Sequence, residues 1–205
     1  MNWHAISALG AIDITAALCT GITLWLALVQ RSLRALDWIG LFSVAMLLVV
    51  ASKIAFIGWG IGVRSLDFAG LSGHAARAGA VFPVAAFLLC TRAARTWRIA
   101  AVAAACMLAA LIAISRVQID AHSTSEAALG LVLGLGTAGV FIAIADAANK
   151  VSPRPWLLLA AVLPLTVVSI KPDFDSQQLM TSMALTLAGT DRPYSRHSWQ
   201  PVAYP

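Results

Sequence analysis

Two clusters of polar residues interrupt an otherwise apolar chain, at residues 64–74 and 115–126. Both contain an arginine, serine hydroxyls, a histidine and a carboxylate. Each lies at the end of an apolar segment long enough to span a bilayer, where ionisable groups are costly and mark function by default. Groups of these types can hold an oxyanion and transfer its protons, so we expect a site for an anionic substrate.

The first cluster ends in Ser72-Gly73-His74, at the predicted start of an apolar helix. Free backbone N–H groups and the helix dipole make such a start a binding site for anions. Ser72 can cap the helix or donate to the anion, and His74 can protonate a leaving oxygen. The tripeptide alone also fits an ordinary N-cap followed by an interfacial histidine, and this alternative stays open.

The second cluster places Ser115 and Arg116 at the end of one apolar segment and His122 before the next. Glu126 follows His122 by four residues, so the two side chains share a face if His122 lies in the first turn of a helix. Glu126 would then hold one imidazole nitrogen and leave the other nucleophilic. The alternative is a carboxylate that only complements the dipole of the helix start.

The composition is that of an integral membrane protein. Of the 205 residues, 60% are apolar and 11% are charged, whereas soluble domains carry about 25% charged residues. Long apolar runs without strand-like alternation favour an all-α, polytopic helical bundle over a barrel. Basic cytoplasmic loops explain the net charge of +5, so we expect no nucleic-acid partner. The three cysteines fall within apolar segments as small core residues: Cys19, Cys90 and Cys106.

About six apolar segments approach the roughly 20 residues that a transmembrane helix needs. The first follows an N-terminus without a basic region or a clear cleavage site, so we expect a true span and not a signal peptide. The predicted spans are Ala5–Val29, Leu36–Val63, Gly73–Cys90, Ile99–Ser115, Glu126–Ala147 and Trp156–Ile170.

The loops between these spans alternate in charge. The first, third and fifth loops are basic and are predicted to be cytoplasmic. The second and fourth loops, which carry the polar clusters, then face the opposite side together with both ends of the chain. The basic loop residues are Arg31, Arg34, Arg92, Arg95, Arg98, Lys150 and Arg154.

Glycine spacing in the fifth span predicts close helix packing. Gly130 and Gly134 form a GxxxG pattern, and Gly136 and Gly139 follow it. Small residues at this spacing let helix backbones approach each other.

The C-terminal segment is more polar than the spans. Leu179, Met183 and Leu187 recur every four residues, which predicts a short amphipathic helix on the membrane surface. Residues 192–199 are predicted to form a loop.

Together the two clusters resemble the motifs of the type 2 phosphatidic acid phosphatase and vanadium haloperoxidase superfamily. That family carries Lys-x6-Arg-Pro, Pro-Ser-Gly-His and Ser-Arg-x5-His-x3-Asp. Here the second motif reads Leu71-Ser72-Gly73-His74, and the third reads Ser115-Arg116-x5-His122-x3-Glu126. The resemblance covers about Lys53 to Glu126, and the third motif is its most specific part.

The family's first motif is only partly present. Lys53 and Arg64 are its candidates, but they lie eleven residues apart, and Ser65 stands where the family has proline. The longer spacing keeps both on one helix face and adds about 6 Å of rise, so Lys53 would lie deep and reach a phosphate by snorkelling. The alternative is that Lys53 pairs with a carboxylate such as Asp13. Glu126 in place of Asp keeps the charge, so its orienting role is expected to persist.

The resemblance implies a membrane lipid phosphatase that needs neither a metal nor another cofactor. His122 would attack phosphorus and form a phosphohistidine, His74 would protonate the leaving group, and Glu126 would orient His122. Water would then release phosphate. The phosphoryl oxygens would be held by Lys53, Arg64, Ser72, Gly73 and Arg116.

Hydropathy, loop charge and the resemblance together suggest how the chain is organised. We expect a transmembrane phosphatase domain over residues 1–170 and a polar tail over residues 171–205. The expected partners are a phosphorylated membrane lipid and the bilayer, without an obligate protein partner. The expected location is a bacterial inner membrane, with the site facing the periplasm. Arg77 lies one turn after His74, where it can aid phosphate or headgroup binding.

Two other functions fit the same residues. A lipid phosphotransferase would pass the phosphoryl group to another lipid instead of water. A non-catalytic transporter or binding protein would use the cations to recognise an anionic lipid. Transport favours a polar path through the bundle, whereas the polar groups here concentrate at one side. Haloperoxidase chemistry is disfavoured because those relatives are soluble.

Overall fold

The chain folds into a bundle of α-helices with almost no sheet, which confirms the predicted all-α membrane bundle. The computed structural model describes residues 2–29, 33–147, 176–196 and 198–202. The helices are α1 (Trp3–Ala8), α2 (Ile12–Leu24), α3 (Arg34–Trp59), α4 (Gly73–Leu89), α5 (Arg95–Gln118), α6 (Thr124–Ala147) and α7 (Ser176–Ala188). A π-helical turn, Trp25–Val29, follows α2, and a 3-10 turn, Arg64–Leu66, lies between α3 and α4. Strands β1 (Tyr194–Ser195) and β2 (Gln200–Pro201) pair antiparallel near the C-terminus.

Several helices are long and apolar enough to cross a membrane. Within the described residues these are Trp3–Leu28, Arg34–Trp59, Arg95–Gln118 and Thr124–Asp146, and Gly73–Leu89 is a shorter apolar helix. The sixth predicted span, Trp156–Ile170, lies outside the described residues.

The first predicted span is not one continuous helix. The chain breaks between α1 and α2 at Leu9–Ala11. Gly10 lies in the break, where an added Cβ would come within 2.7 Å of Cγ2 of Ile112 and 3.4 Å of Cβ of His74. The predicted first span, Ala5–Val29, matches the apolar stretch Trp3–Leu28. The break inside it was not predicted, because apolar composition does not reveal this close packing against α4 and α5.

Helix α4 lies in the middle of the bundle and packs along α6. A Cβ on Gly130 would come within 2.6 Å of the Ser72 carbonyl oxygen, and one on Gly79 within 3.0 Å of the Leu135 nitrogen. Gly134 approaches the backbone of Ala76 in the same way. The predicted close packing is confirmed for Gly130 and Gly134. Gly136 and Gly139 face open space among the described residues.

The polar tail returns to the bundle through α7. Thr181 and Ala184 are buried, and the Ala184 carbonyl oxygen would lie 3.1 Å from a Cβ on Gly58 of α3. The helix predicted from the four-residue repeat is therefore present. The residues of the repeat, however, do not lie on the helix face that packs on α3. The repeat residues are instead exposed: Leu179 by 47%, Met183 by 43% and Leu187 by 63%.

Residues 192–199 are not purely a loop. They contain β1, whose residues Tyr194 and Ser195 pair with Pro201 and Gln200. The Trp199 ring packs edge-on against Phe56 of α3, with 5.1 Å between ring centroids. This aromatic contact docks the hairpin on α3, and it joins residues too distant in sequence for a local pattern to predict.

Candidate active site

A cavity of about 1090 Å³ lies among α2, α3, α4, the loop between α5 and α6, and the C-terminal tail. Its polar side carries cations, both histidines and carboxylates. Its apolar side is formed mainly by α2 and α3. The polar lining includes Lys53, His74, Arg77, Arg116, Asp120, His122, Glu126 and Arg196, and the apolar lining includes Ile12, Phe42, Met46, Val49, Val50 and Phe56.

Hydrogen bonds join the two polar clusters at the start of α6. The Ser72 N–H donates to the Glu126 carbonyl at 3.1 Å, and the Ala69 N–H donates to Glu126 Oε1 at 2.8 Å. The Ser125 hydroxyl donates to the Leu66 carbonyl at 2.7 Å. The loop before α4 is thereby fixed against α6, and the predicted meeting of the two clusters is confirmed.

His122 and Glu126 form a close pair in this corner. The distance from His122 Nδ1 to Glu126 Oε2 is 2.7 Å, and the side chains are only 11% and 3% exposed. An ionised carboxylate only accepts hydrogen bonds, so Nδ1 is the donor and Nε2 keeps its lone pair. Burial lowers the pKa of His122 below its usual range, and the hydrogen bond to Glu126 partly opposes this shift. The lowered pKa favours the neutral imidazole, and Nε2 makes no hydrogen bond among the described residues. A neutral imidazole with an open nitrogen is the form that can act as a nucleophile.

The start of α4 leaves a hydroxyl without a partner. Ser72 occupies the N-cap position, but its side chain makes no capping hydrogen bond. Its Oγ is buried and lacks a hydrogen-bond partner among the described residues. Ser72 is therefore the N-cap residue by position but does not cap the helix through its side chain. A buried hydroxyl without a partner is destabilising, so this group is suited to an anion bound beside Gly73, which lines the cavity.

Two of the arginines that line the cavity, Arg77 and Arg116, are held by residues 7–15. Arg116 Nη1 donates to Ser7 Oγ at 2.7 Å. Arg77 Nε donates to Thr15 Oγ1 at 3.0 Å, and its Nη2 donates to the Gly10 carbonyl at 3.4 Å. Within the described residues, Arg116 Nε is buried without a hydrogen-bond partner.

Lys53 lines the same cavity, as its predicted phosphate contact requires. Gly70, at φ +126°, packs against it, since an added Cβ would lie 3.0 Å from Lys53 Cγ. Among the described residues no ion pair joins Lys53 to Asp13, the alternative partner. Arg64 lies apart: it is exposed in the 3-10 turn and is not among the residues that line the cavity.

Arg196 is a cavity residue that the motifs do not contain. Its Nη1 lies 3.3 Å from Glu126 Oε2, and its Nε lies 3.9 Å from Asp67 Oδ2. The loop pattern of the tail gave no local indication of this contact. The one sequence feature that could have indicated this contact was the predicted topology, which placed the basic tail and the two clusters on the same side of the membrane.

The fold and the site define a class: a helical membrane protein with a His–Glu pair in a cavity lined by lysine and arginine side chains. The chain belongs to the PAP2 superfamily, whose model matches residues 62–150. That region contains both polar clusters. Family membership supports a phosphatase-like function, and the apolar helices support membrane association.

The chain is also similar to a bacterial relative over nearly its full length. It is 35% identical over 207 residues to a Klebsiella pneumoniae protein described as "Uncharacterized 22.5 kDa protein in cps region", with 96% of each chain covered. No solved structure matches the chain significantly.

Proposed function

We propose that this protein is an integral membrane lipid phosphatase, which hydrolyses a phosphate monoester or a pyrophosphate of a lipid through a phosphohistidine intermediate. The observation that carries this proposal is the His122–Glu126 pair, in which a hydrogen bond of 2.7 Å occupies Nδ1 and leaves Nε2 available. Among the described residues, two buried donors lack hydrogen-bond partners, Ser72 Oγ and Arg116 Nε, and each would gain one from a phosphoryl group bound between the two polar clusters.

In the first step His122 Nε2 attacks phosphorus, and the bond from phosphorus to the leaving oxygen breaks. His74 lies at the start of α4 and lines the same cavity. We assign His74 as the general acid that donates a proton to the leaving alcohol or phosphate. Water then attacks phosphorus of the phosphohistidine and gives a proton to His74, the bond from phosphorus to Nε2 breaks, and phosphate leaves with both histidines restored. Glu126 holds the imidazole in one orientation and stabilises the positive charge it gains during attack.

The phosphoryl oxygens would be held by the cations and by the α4 N-terminus. Arg116 and Lys53 line the cavity, and Gly73 offers its backbone N–H at the helix start. Arg77 joins this set because Thr15 and Gly10 fix its guanidinium in the cavity wall. Arg64, in its exposed turn, takes a peripheral position in this proposal.

The apolar wall supports a lipid as the substrate. Phe42, Met46 and Val49 of α3 face the cavity together with Ile12 of α2. A phosphate at the arginines would leave its hydrocarbon chain beside these side chains, so the chain would stay out of water and avoid an exposure cost of about 0.8 kcal/mol per CH₂ group. A soluble phosphate ester has no hydrocarbon chain that needs this wall.

Phosphate release from a panel of lipid phosphates and pyrophosphates, by purified protein in detergent, tests the proposal. We expect His122→Ala to abolish release and vanadate to inhibit the wild type. A phosphohistidine trapped by rapid acid-free quenching should be absent from His122→Ala. Turnover by His122→Ala at the wild-type rate would exclude the mechanism. Transfer of phosphate to an acceptor lipid instead of water would identify a phosphotransferase.

We also propose that the protein lies in a bacterial inner membrane with the cavity facing the periplasm. In a background without native cysteines, Thr124→Cys places a thiol at an exposed position beside His122. Thr96→Cys, at the exposed start of α5, is the matched control on the opposite side. An impermeant thiol reagent added to intact cells should label only the first variant. Labelling of Thr96→Cys alone would reverse the orientation.

A further inference from the structure

We infer that Arg196 is a positioning residue for the nucleophile, which acts by holding the Glu126 carboxylate that orients His122. The inference rests on the proposed function and adds the C-terminal hairpin to the machinery of the site. Arg196 lies outside the region 62–150 that matches the family model.

The geometry places Arg196 on the carboxylate and not on the nucleophilic nitrogen. Glu126 Oε2 accepts from His122 Nδ1 at 2.7 Å, from the Ser123 N–H at 3.2 Å and from Arg196 Nη1 at 3.3 Å. Glu126 Oε1 accepts from the Ala69 N–H at 2.8 Å. Both oxygens are thus fixed by donors from three separate parts of the chain.

A buried glutamate needs such support. The Glu126 side chain is 3% exposed, and a buried charge without partners is strongly disfavoured. Glutamate also has one more rotatable bond than the aspartate of the family motif, so its carboxylate has more freedom to leave the imidazole. The guanidinium of Arg196 neutralises the charge and removes that freedom.

The tail is built to hold Arg196 in place. Its hairpin docks through Trp199 on Phe56, with ring centroids 5.1 Å apart, and through Tyr194, which packs so close to Gly60 that an added Cβ would come within 2.6 Å of the ring. The other nitrogens of Arg196 reach Asp67 Oδ2 at 3.9 Å and the Asp120 carbonyl at 3.4 Å. Arg196 therefore bridges both polar clusters and the tail.

The titration midpoint of His122 depends on the contact between Arg196 and Glu126, because that contact places a positive charge close to the imidazole. Loss of that charge should make protonation of His122 easier, so its titration midpoint should move to higher pH. The other charged or titratable groups that face this corner stay the same in the comparison: Lys53 from α3, His74 and Arg77 from α4, Arg116 from α5, Glu126 from α6, and Asp67 and Asp120 from the loops.

The test is an NMR titration of histidine-labelled full-length protein in detergent, with His122→Asn used to assign the His122 signal. We expect Arg196→Ala to raise the His122 midpoint by about one pH unit. Arg192→Ala removes the same charge from an exposed position in the same tail and should leave the midpoint unchanged. An unchanged midpoint in Arg196→Ala, or an equal shift in Arg192→Ala, would overturn the inference.

Arg196→Lys covers the case in which the alanine variant does not fold. Lysine keeps the charge but cannot span the three partners, so kcat should fall at least several-fold while KM stays near the wild-type value. Wild-type kcat in folded Arg196→Lys would count against the positioning role. If wild-type protein releases no phosphate from any lipid, the proposed function fails, and the NMR titration still decides the role of Arg196.

Discussion

The two halves of the candidate active site are fixed by different parts of the chain. The nucleophile half, His122 and Glu126, is held by the backbone N–H groups of Ala69 and Ser123 and by Arg196 of the C-terminal tail. The cation half, Arg77 and Arg116, is held by side chains and a carbonyl of residues 7–15. Those residues lie outside the region that matches the family model.

This difference separates chemistry from substrate positioning. The His122–Glu126 pair joins residues four apart at a helix start, so a short motif predicts it, although Ala69 and Arg196 from distant parts of the chain also hold the carboxylate. The cation half needs α1 and α2 to pack against α4 and α5 before its guanidinium groups are oriented. Damage to the first half should therefore lower kcat, whereas damage to the second should mainly raise KM.

The largest effect is expected from Glu126→Gln. The amide keeps the shape but removes the charge that stabilises the imidazolium, so we expect kcat to fall by about 10²–10⁴-fold, with little change in KM. Asp146→Asn is the matched control, because it makes the same change in α6 at a half-exposed ion pair with Arg98. Steady-state phosphate release measures both. An equal loss in the two variants would show that Glu126 has no special role.

Next in size is the effect of Arg77→Ala. Loss of a charge-assisted contact of about 1.5–3 kcal/mol predicts that KM rises about 10–100-fold, and vanadate should bind more weakly by a similar factor. Arg64→Ala removes the same charge from the exposed turn and should change both quantities far less. A larger effect in Arg64→Ala would restore the assignment suggested by the family's first motif.

The packing interface between α4 and α6 joins the two halves of the site. Gly130→Ala should disturb this interface. The new methyl group would meet the Ser72 carbonyl, so we expect a loss of about 1–3 kcal/mol in stability and a matching loss of activity. Gly136→Ala adds the same group where it meets no described residue within 4 Å. Thermal unfolding in detergent compares the two, and equal melting temperatures would contradict the close packing.

The smallest effect concerns pH. Burial lowers the pKa of His122. The imidazole therefore stays neutral at pH values just below the ordinary pKa of histidine, and activity is lost only when the pH falls through the lowered pKa. We therefore expect kcat/KM to keep more than half of its maximum at about pH 6.5, the ordinary pKa of histidine. A profile of kcat/KM against pH checks this. An acidic midpoint above pH 6.5 would place His122 in a different environment.

Much of the architecture was predictable from sequence. Helix α4 was predicted as Gly73–Cys90 and ends at Leu89, because Ser72-Gly73 marks its start clearly. The break at Gly10 was not predictable, since the neighbouring residues are apolar on both sides. The hairpin around Arg196 was also missed, because two-residue strands leave no periodic pattern and their docking on Phe56 is a long-range contact.

The sequence by itself determined the membrane class, the helical bundle and the pairing of His122 with Glu126, since hydropathy and i,i+4 spacing act over neighbouring residues. Only the tertiary structure decided that Arg196 joins the cations of the cavity and that Arg64 does not, although both are arginines near polar segments. The reason is physical: a guanidinium group is placed by the helices that pack around it, and that packing joins residues more than one hundred positions apart, such as Ser7 and Arg116.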